Sequence, residues 1–250
     1  MKINDKSFRE FLQSLKISEK YVVLHVKLIE YPSLIYNINN FWRNIKMGIG
    51  KNKTFIVPTF NLNFIKKKKW NKNQTPSKSG YFSEFFRKEI SQKRTNNPIH
   101  SVCIYGNSLN QIPEHTSASS FGKGSIWEWI SNSKDVCNLS IGVGIHGGAT
   151  FFHYCEEFLN VNYRFKKNFS GTIILNNKKQ KKKFSYFARK INEKKKIEND
   201  WTACEKDLIK NRILIKKKFN NILFFKMNTF KASHLIIDKL KKNPNYLLKK

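Results

Sequence analysis

The run Ile141-Gly142-Val143-Gly144-Ile145-His146-Gly147-Gly148 constrains what this chain can fold into more than any other stretch. It carries an apolar, strand-like segment, Asn138 to Val143, into a second segment that reads Phe151-Phe152-His153-Tyr154-Cys155-Glu156-Glu157. A buried strand delivered through a glycine turn into a helix is the basic joint of layered α/β proteins. Residues three apart on a helix share a face, so Glu156 can reach the imidazole of His153. Taken alone, the pair has two readings. One is a structural histidine on a buried helix face. The other is an acid/base centre, because imidazole accepts and returns a proton near neutral pH.

The rest of the chain repeats the same alternation. Tyr21 to Val26 and Thr54 to Pro58 are compact apolar runs that predict buried strands, and Ser101 to Tyr105 predicts another. Helical spacing places Phe8, Phe11, Leu12 and Leu15 on one face, and Phe82, Phe85, Phe86 and Ile90 on another. Tyr36 to Ile49 and Lys231 to Lys241 predict further helices, the latter with Leu235, Ile236 and Leu240 inward. Gly171 to Leu175 and Ile222 to Phe225 predict short late strands. Lys66 to Gln74 reads as a basic loop, and the lysine runs 178–183 and 194–196 read as exposed turns. The expected architecture is α/β, a layered sheet with flanking helices, in one domain spanning 1–250.

Gly142, Gly144 and Gly147 spell G-x-G-x-x-G after a strand, the pattern of dinucleotide sites. Such a site also needs a carboxylate about 20 residues on for the ribose. This chain offers Asn160, Asn162, Arg164, Lys166 and Lys167 instead. The glycines therefore read as a tight turn that brings backbone close to a ligand. His146, His153, Cys155 and Glu156 lack the second anchoring pair that a zinc site requires, so no metal is expected.

Composition narrows the class. A net charge of +31 would ordinarily point to nucleic acid, but the excess is nearly all lysine dispersed along the chain, which reads as compositional drift on solvated surfaces. Cys103, Cys137, Cys155 and Cys204 form no CxxC pair and suit a reducing compartment. No apolar run is long enough to span a bilayer, and Met1 to Lys6 carries no signal core, so the expectation is a cytoplasmic protein with no membrane partner.

Five pieces in a fixed order identify a resemblance. They are Pro58-Thr59-Phe60, then Thr75-Pro76-Ser77 running to Gly80 and Ser83-Glu84-Phe85-Phe86-Arg87, then Arg94 through Asn97-Pro98-Ile99-His100-Ser101. Phe121-Gly122-Lys123-Gly124-Ser125 and the Thr150/His153/Glu156 segment complete the series. This order resembles the aminoglycoside 3-N-acetyltransferase family over most of the chain. The resemblance implies the family's fold and an acetyl-CoA-dependent N-acetyltransferase acting on an aminoglycoside or amino sugar. His153 would be the general base, oriented by Glu156, with the amine attacking the thioester directly. It places His25, Lys27, His100, Ser101, Gly122, Gly124 and Ser125 near coenzyme A, and Glu84 and Glu157 near the acceptor. A homodimer is left open.

The chain departs from the family at four positions. Its first strand ends His25-Val26-Lys27-Leu28 where the family has two serines, so Lys27 is the expected phosphate contact. Asn97 stands for a histidine and cannot titrate, and Ile126 stands for a proline. Only 17 acidic residues face 48 basic ones, and a polycationic acceptor needs carboxylates. Glu156, Glu157 and the group Glu198, Asp200, Glu205 and Asp207 are available to supply them, and the balance favours a lightly charged amino sugar. Two alternatives stand beside this reading: a basic nucleic-acid-binding protein on the same scaffold, and a family member without turnover.

Overall fold

The structure is a computed structural model that describes residues 4–29, 31, 37–190 and 197–249. Among them, seven strands form one sheet. They are β1 (Tyr21–Val26), β2 (Thr54–Pro58), β4 (Lys93–Arg94), β5 (Val102–Tyr105), β6 (Val136–Ile141), β9 (Leu214–Phe219) and β10 (Ile222–Asn228). Their order is β4-β5-β2-β1-β6-β10-β9. β1 runs parallel to both β2 and β6, and the outer pairings are antiparallel.

Alternation along the central strands divides the core into two layers. Val22 and Leu24 of β1, with Phe55, Val57, Leu139 and Phe224, pack under helices Asp5–Gln13, Ile38–Ile49 and Tyr81–Phe85. Tyr21 and Val23, with Ile56, Ile104, Val136 and Phe225, face the helices Ile126–Asn132, Phe152–Phe158 and Thr229–Lys242. Both faces are covered, which is why these strands read as continuous apolar runs. Each such side chain contributes about 1.5–3 kcal/mol on full burial.

A second sheet joins β3 (Lys69–Asn71) to a long hairpin, β7 (Arg164–Leu175) and β8 (Lys178–Arg189). Here the chain differs from its sequence-based reading. Lys178 to Lys183 is strand, paired residue for residue with β7, and its lysines are exposed because this end of the ribbon projects into solvent. The turn is Asn176-Asn177, both in the left-handed region at φ 47° and 61°, as a tight hairpin turn requires. Asn220-Asn221, at 45° and 65°, closes β9 to β10 in the same way. The basic segment near Lys66 holds a helical turn, Phe64–Lys67, as well as β3. The expected helix of Gly80 to Ile90 is α-helical only to Phe85 and widens into a π-helical turn, Phe86–Ile90, with Phe86 buried against Trp42. β9 and helix Thr202–Lys210 were not anticipated. Tyr36 and the lysine run 194–196 lie outside the described residues. No helix among the described residues is long and apolar enough to cross a membrane.

Candidate active site

The three parallel strands end on the same side of the sheet, and the chain goes on from β1 to β2 on one flank while β6 lies on the other. Ligands of open α/β sheets bind at such a switch point, beyond the carboxyl ends of the strands. A cleft of about 370 Å³ lies there. His25, Val26 and Lys27 line it from β1, Pro58 and Phe60 from β2, and Val143, Gly147 and Thr150 from the segment after β6. Lys78, Ser79 and Ser83 close it from a loop pinned to Phe60: Lys78 N–H donates to Phe60 O at 2.7 Å, and Phe60 N–H donates to Ser79 Oγ at 2.8 Å. His25 is buried, Nε2 has no protein partner, and burial pulls its pKa down to about 4, so it is neutral at pH 7.

The glycine turn explains how the next helix is aimed. Gly142 sits at φ +68° with its α-carbon packed on the carbonyl of Lys27, leaving no room for a β-carbon. Gly148 abuts Ser140 as closely, and its carbonyl accepts from Asn138 Nδ2 at 2.7 Å and Ser140 Oγ at 3.0 Å. The buried polar residues of β6 thus hold the turn that launches helix Phe152–Phe158.

On that helix Glu156 is fully buried, and His153 is partly exposed. His153 Nδ1 lies 2.5 Å from Glu156 Oε2. Tyr163 donates its hydroxyl to Oε1 at 2.9 Å, and Arg164 Nε pairs with Oε2 at 2.9 Å. Burial alone would raise the Glu156 pKa. Together His153, Arg164 and Tyr163 outweigh burial and hold it below the usual carboxylate range. Nδ1 being committed to the carboxylate, Nε2 is the nitrogen left for the solvent side, where His153 lines a second cleft of about 370 Å³ with His146, Arg189, Glu198, Asn199 and Trp201. Thr150 of the first cleft and His153 of the second are one helical turn apart.

The remaining sequence-predicted residues fall into different places. His100 is in the lining of neither cleft: it is buried and neutral, its ring centre 4.6 Å from that of Phe121 and 4.9 Å from that of Phe60. Burial holds its pKa well down, with His153 and His115 adding to the effect. Phe121 in turn touches His153 at 5.2 Å. Ser101 does not face a cleft: its hydroxyl donates to Thr59 O at 2.9 Å and accepts from Arg94 Nε at 3.0 Å, bracing β2 against β5. The loop of Gly122, Gly124 and Ser125 does not present backbone amides to a phosphate. Gly122 N–H donates to Ser119 Oγ, Gly124 N–H to Glu128 Oε2, and Ser125 N–H to Gly122 O, while Ser125 Oγ caps helix Ile126–Asn132. This loop starts a helix. Asn97 accepts from the amides of Ile99 and His100 at 3.0 and 2.7 Å, a positional role that needs no titration.

Glu84 receives Arg87 through two bonds of 2.8 Å and Ser77 N–H at 2.6 Å, so it fixes the loop before Lys78 rather than lining a cleft itself. Glu157 turns to Ser119 Oγ at 2.5 Å, beside Gly122, and burial pushes its carboxyl up. Of the four late acids, only Glu198 lines the His153 cleft. Glu205 pairs with Lys216 at 2.9 Å and Asp207 with Lys239 at 2.6 Å, both away from it. Cys155 is buried and its thiol is pushed up to about 12 by desolvation, the opposite of an activated nucleophile. Tyr163, Arg164, His146 and Trp201 were not anticipated. A buried carboxylate requires a cation and further donors, and Tyr163-Arg164, the first such pair after the helix, was the available signal.

A histidine–carboxylate pair on a cleft of an α/β fold is equipped for proton transfer. Residues 39–238 match the model of the aminoglycoside 3-N-acetyltransferases, and the chain belongs to that family of acyltransferases. Its fold is similar to the YokD protein of Bacillus subtilis, at 17% identity and a TM-score of 0.78 over 98% of this chain and 96% of that one. It is also similar to AAC-VIa bound to sisomicin, at 14% identity and 0.78 over 97% and 99%. A third likeness is to AAC-IIIb in a binary complex with CoASH, at 11% identity and 0.77 over 97% of each chain. No protein with a curated description matches in sequence.

Proposed function

We propose that this chain transfers the acetyl group of acetyl-CoA to an amine of an aminoglycoside or amino sugar, with His153 as general base and Glu156 as its orienting carboxylate. The observation that carries this reading is the 2.5 Å contact of His153 Nδ1 with a wholly buried, ionised Glu156 at the edge of a cleft. Glu156 fixes the tautomer with the proton on Nδ1, so Nε2 holds the lone pair that accepts a proton from the attacking amine. Imidazolium formed in that step is stabilised by the adjacent anion.

The first cleft suits coenzyme A. Its apolar wall of Pro58, Phe60, Leu62 and Val143 fits a pantetheine stem. Ser83, Thr150 and the unpartnered His25 Nε2 can meet its amides, and Lys27 and Lys78 supply charge for its phosphates. Acetyl-CoA would supply an activated acyl thioester there. The amine attacks it directly, and no residue carries the acetyl group, in keeping with the inert thiol of Cys155.

Coenzyme A release measured with acetyl-CoA and a panel of amines tests this reading. Acceptor-dependent release, with no acetyl-protein detected by intact mass when the acceptor is omitted, is the expected result. A stoichiometric acetyl-protein would replace direct transfer with a two-step route.

A further inference from the structure

Resting on that reading of the His153 cleft as the acceptor site, the charges around it specify the acceptor further. Glu198, the carboxylate that lines the cleft, is partnered by Lys249 at 3.5 Å. Nearby Asp200 stays ionised, its pKa lowered chiefly by the hydroxyl and amide of Thr202 at 2.5 and 2.9 Å, but it is not part of the cleft lining, and Glu156 is buried under His153, Tyr163 and Arg164. Arg189, by contrast, forms no ion pair among the described residues. Arg189 is thus the charged group of the described lining that has no ion-pair partner among the described residues.

Its other walls suit a sugar. His146 is exposed and stacks on Trp201 at 5.4 Å and 17°, which holds its ring as a flat floor for an apolar pyranose face. Trp201 Nε1 and Asn199 Oδ1 lie in the wall without partners, one donor and one acceptor for hydroxyl groups. A polycation would meet Arg189, and the carboxylate in the described lining, Glu198, is already paired with Lys249. An anion finds a fork-shaped donor suited to phosphate.

We infer that the acceptor is an amino sugar carrying one amine and one phosphate-type anion, with the anion received by Arg189 and the amine turned to His153. The anion is a phosphate monoester or the diphosphate of a nucleotide-linked sugar.

The test measures binding of glucosamine, glucosamine 6-phosphate, UDP-glucosamine and kanamycin to the CoA-loaded protein at low and moderate salt, with transfer kinetics alongside. The phosphorylated sugars should bind at least about tenfold tighter than glucosamine, with an advantage that salt reduces. Arg189→Ala should collapse the ratio between the phosphorylated and plain sugars, and Arg189→Lys should keep part of it. The two phosphorylated probes distinguish monoester from diphosphate. Equal binding of all four, tighter binding of kanamycin, or a phosphate preference that survives Arg189→Ala overturns the inference. Absence of transfer to every probe would sink the acyltransfer reading, while the binding order would still decide this one.

Discussion

Glu156 is a carboxylate in the core, and its three partners are what make it tolerable there. An ion without partners in such a place costs several kcal/mol, and His153, Tyr163 and Arg164 together keep it ionised. Glu156→Gln keeps the shape and removes the charge. Transfer should fall, but by less than the about 10²–10⁴-fold commonly seen when a general base is lost. A transfer rate equal to wild type would make Glu156 structural only. The His153–Glu156 pair was legible from helical spacing. Arg164 and Tyr163 were not, because a turn after the helix brings them back under it, and no periodicity encodes that return.

At the scale of elements, the glycine turn after β6 links the two clefts, since Gly142 packs on the Lys27 carbonyl and Gly148 on Ser140. Gly142→Ala must hold alanine at φ +68°, which costs about 1–2 kcal/mol, and must also move the Lys27 loop away. Denaturant melts should show lower stability, and titration should show weaker acetyl-CoA binding. Unchanged affinity would mean that the Lys27 loop does not hold the cofactor. The central strands were legible because both their faces are buried, so apolar runs mark them. Of the hairpin of β7 and β8 only Gly171 to Leu175 was legible: the lysines of β8 erase the alternation that marks a strand. Asn176-Asn177 supplied the turn without the glycine that usually signals it. The loop of Gly122 to Ser125 matched its family pattern in sequence, yet the amides of Gly122, Gly124 and Ser125 are already bonded to Ser119, Glu128 and Gly122. A motif gives residue types, and only the backbone shows which hydrogen bonds are already made.

For the whole molecule, three buried histidines set the response to acid. His25 and His115 have pKa values pulled from 6.5 to about 4, and His100 lies well below its ordinary value, all chiefly through burial. The unfolded chain therefore binds more protons than the folded one below about pH 6.5, and stability falls as pH drops from there to about 4. The shifts of His25 and His115 correspond to a loss of about 3 kcal/mol each. Glu156, held low in the folded state, adds to the loss further down, as pH falls through its lowered pKa. Equilibrium denaturation across pH 4 to 7 should show this slope, and His115→Gln should flatten it. A stability that is level over that range would contradict neutral burial of these rings. The dispersed lysine charge fixed neither fold nor partner.

The central claim is that His153 accepts the acceptor's proton without holding the cofactor, and His153→Ala tests it most directly when acetyl-CoA affinity and transfer rate are measured on the same preparation. Affinity should stay within a fewfold of wild type, because the cleft proposed for the cofactor is built from β1, β2 and the Lys78 loop, while the rate should fall by about 10²–10⁴-fold. A transfer rate within a fewfold of wild type, with acetyl-CoA still bound, would contradict the account.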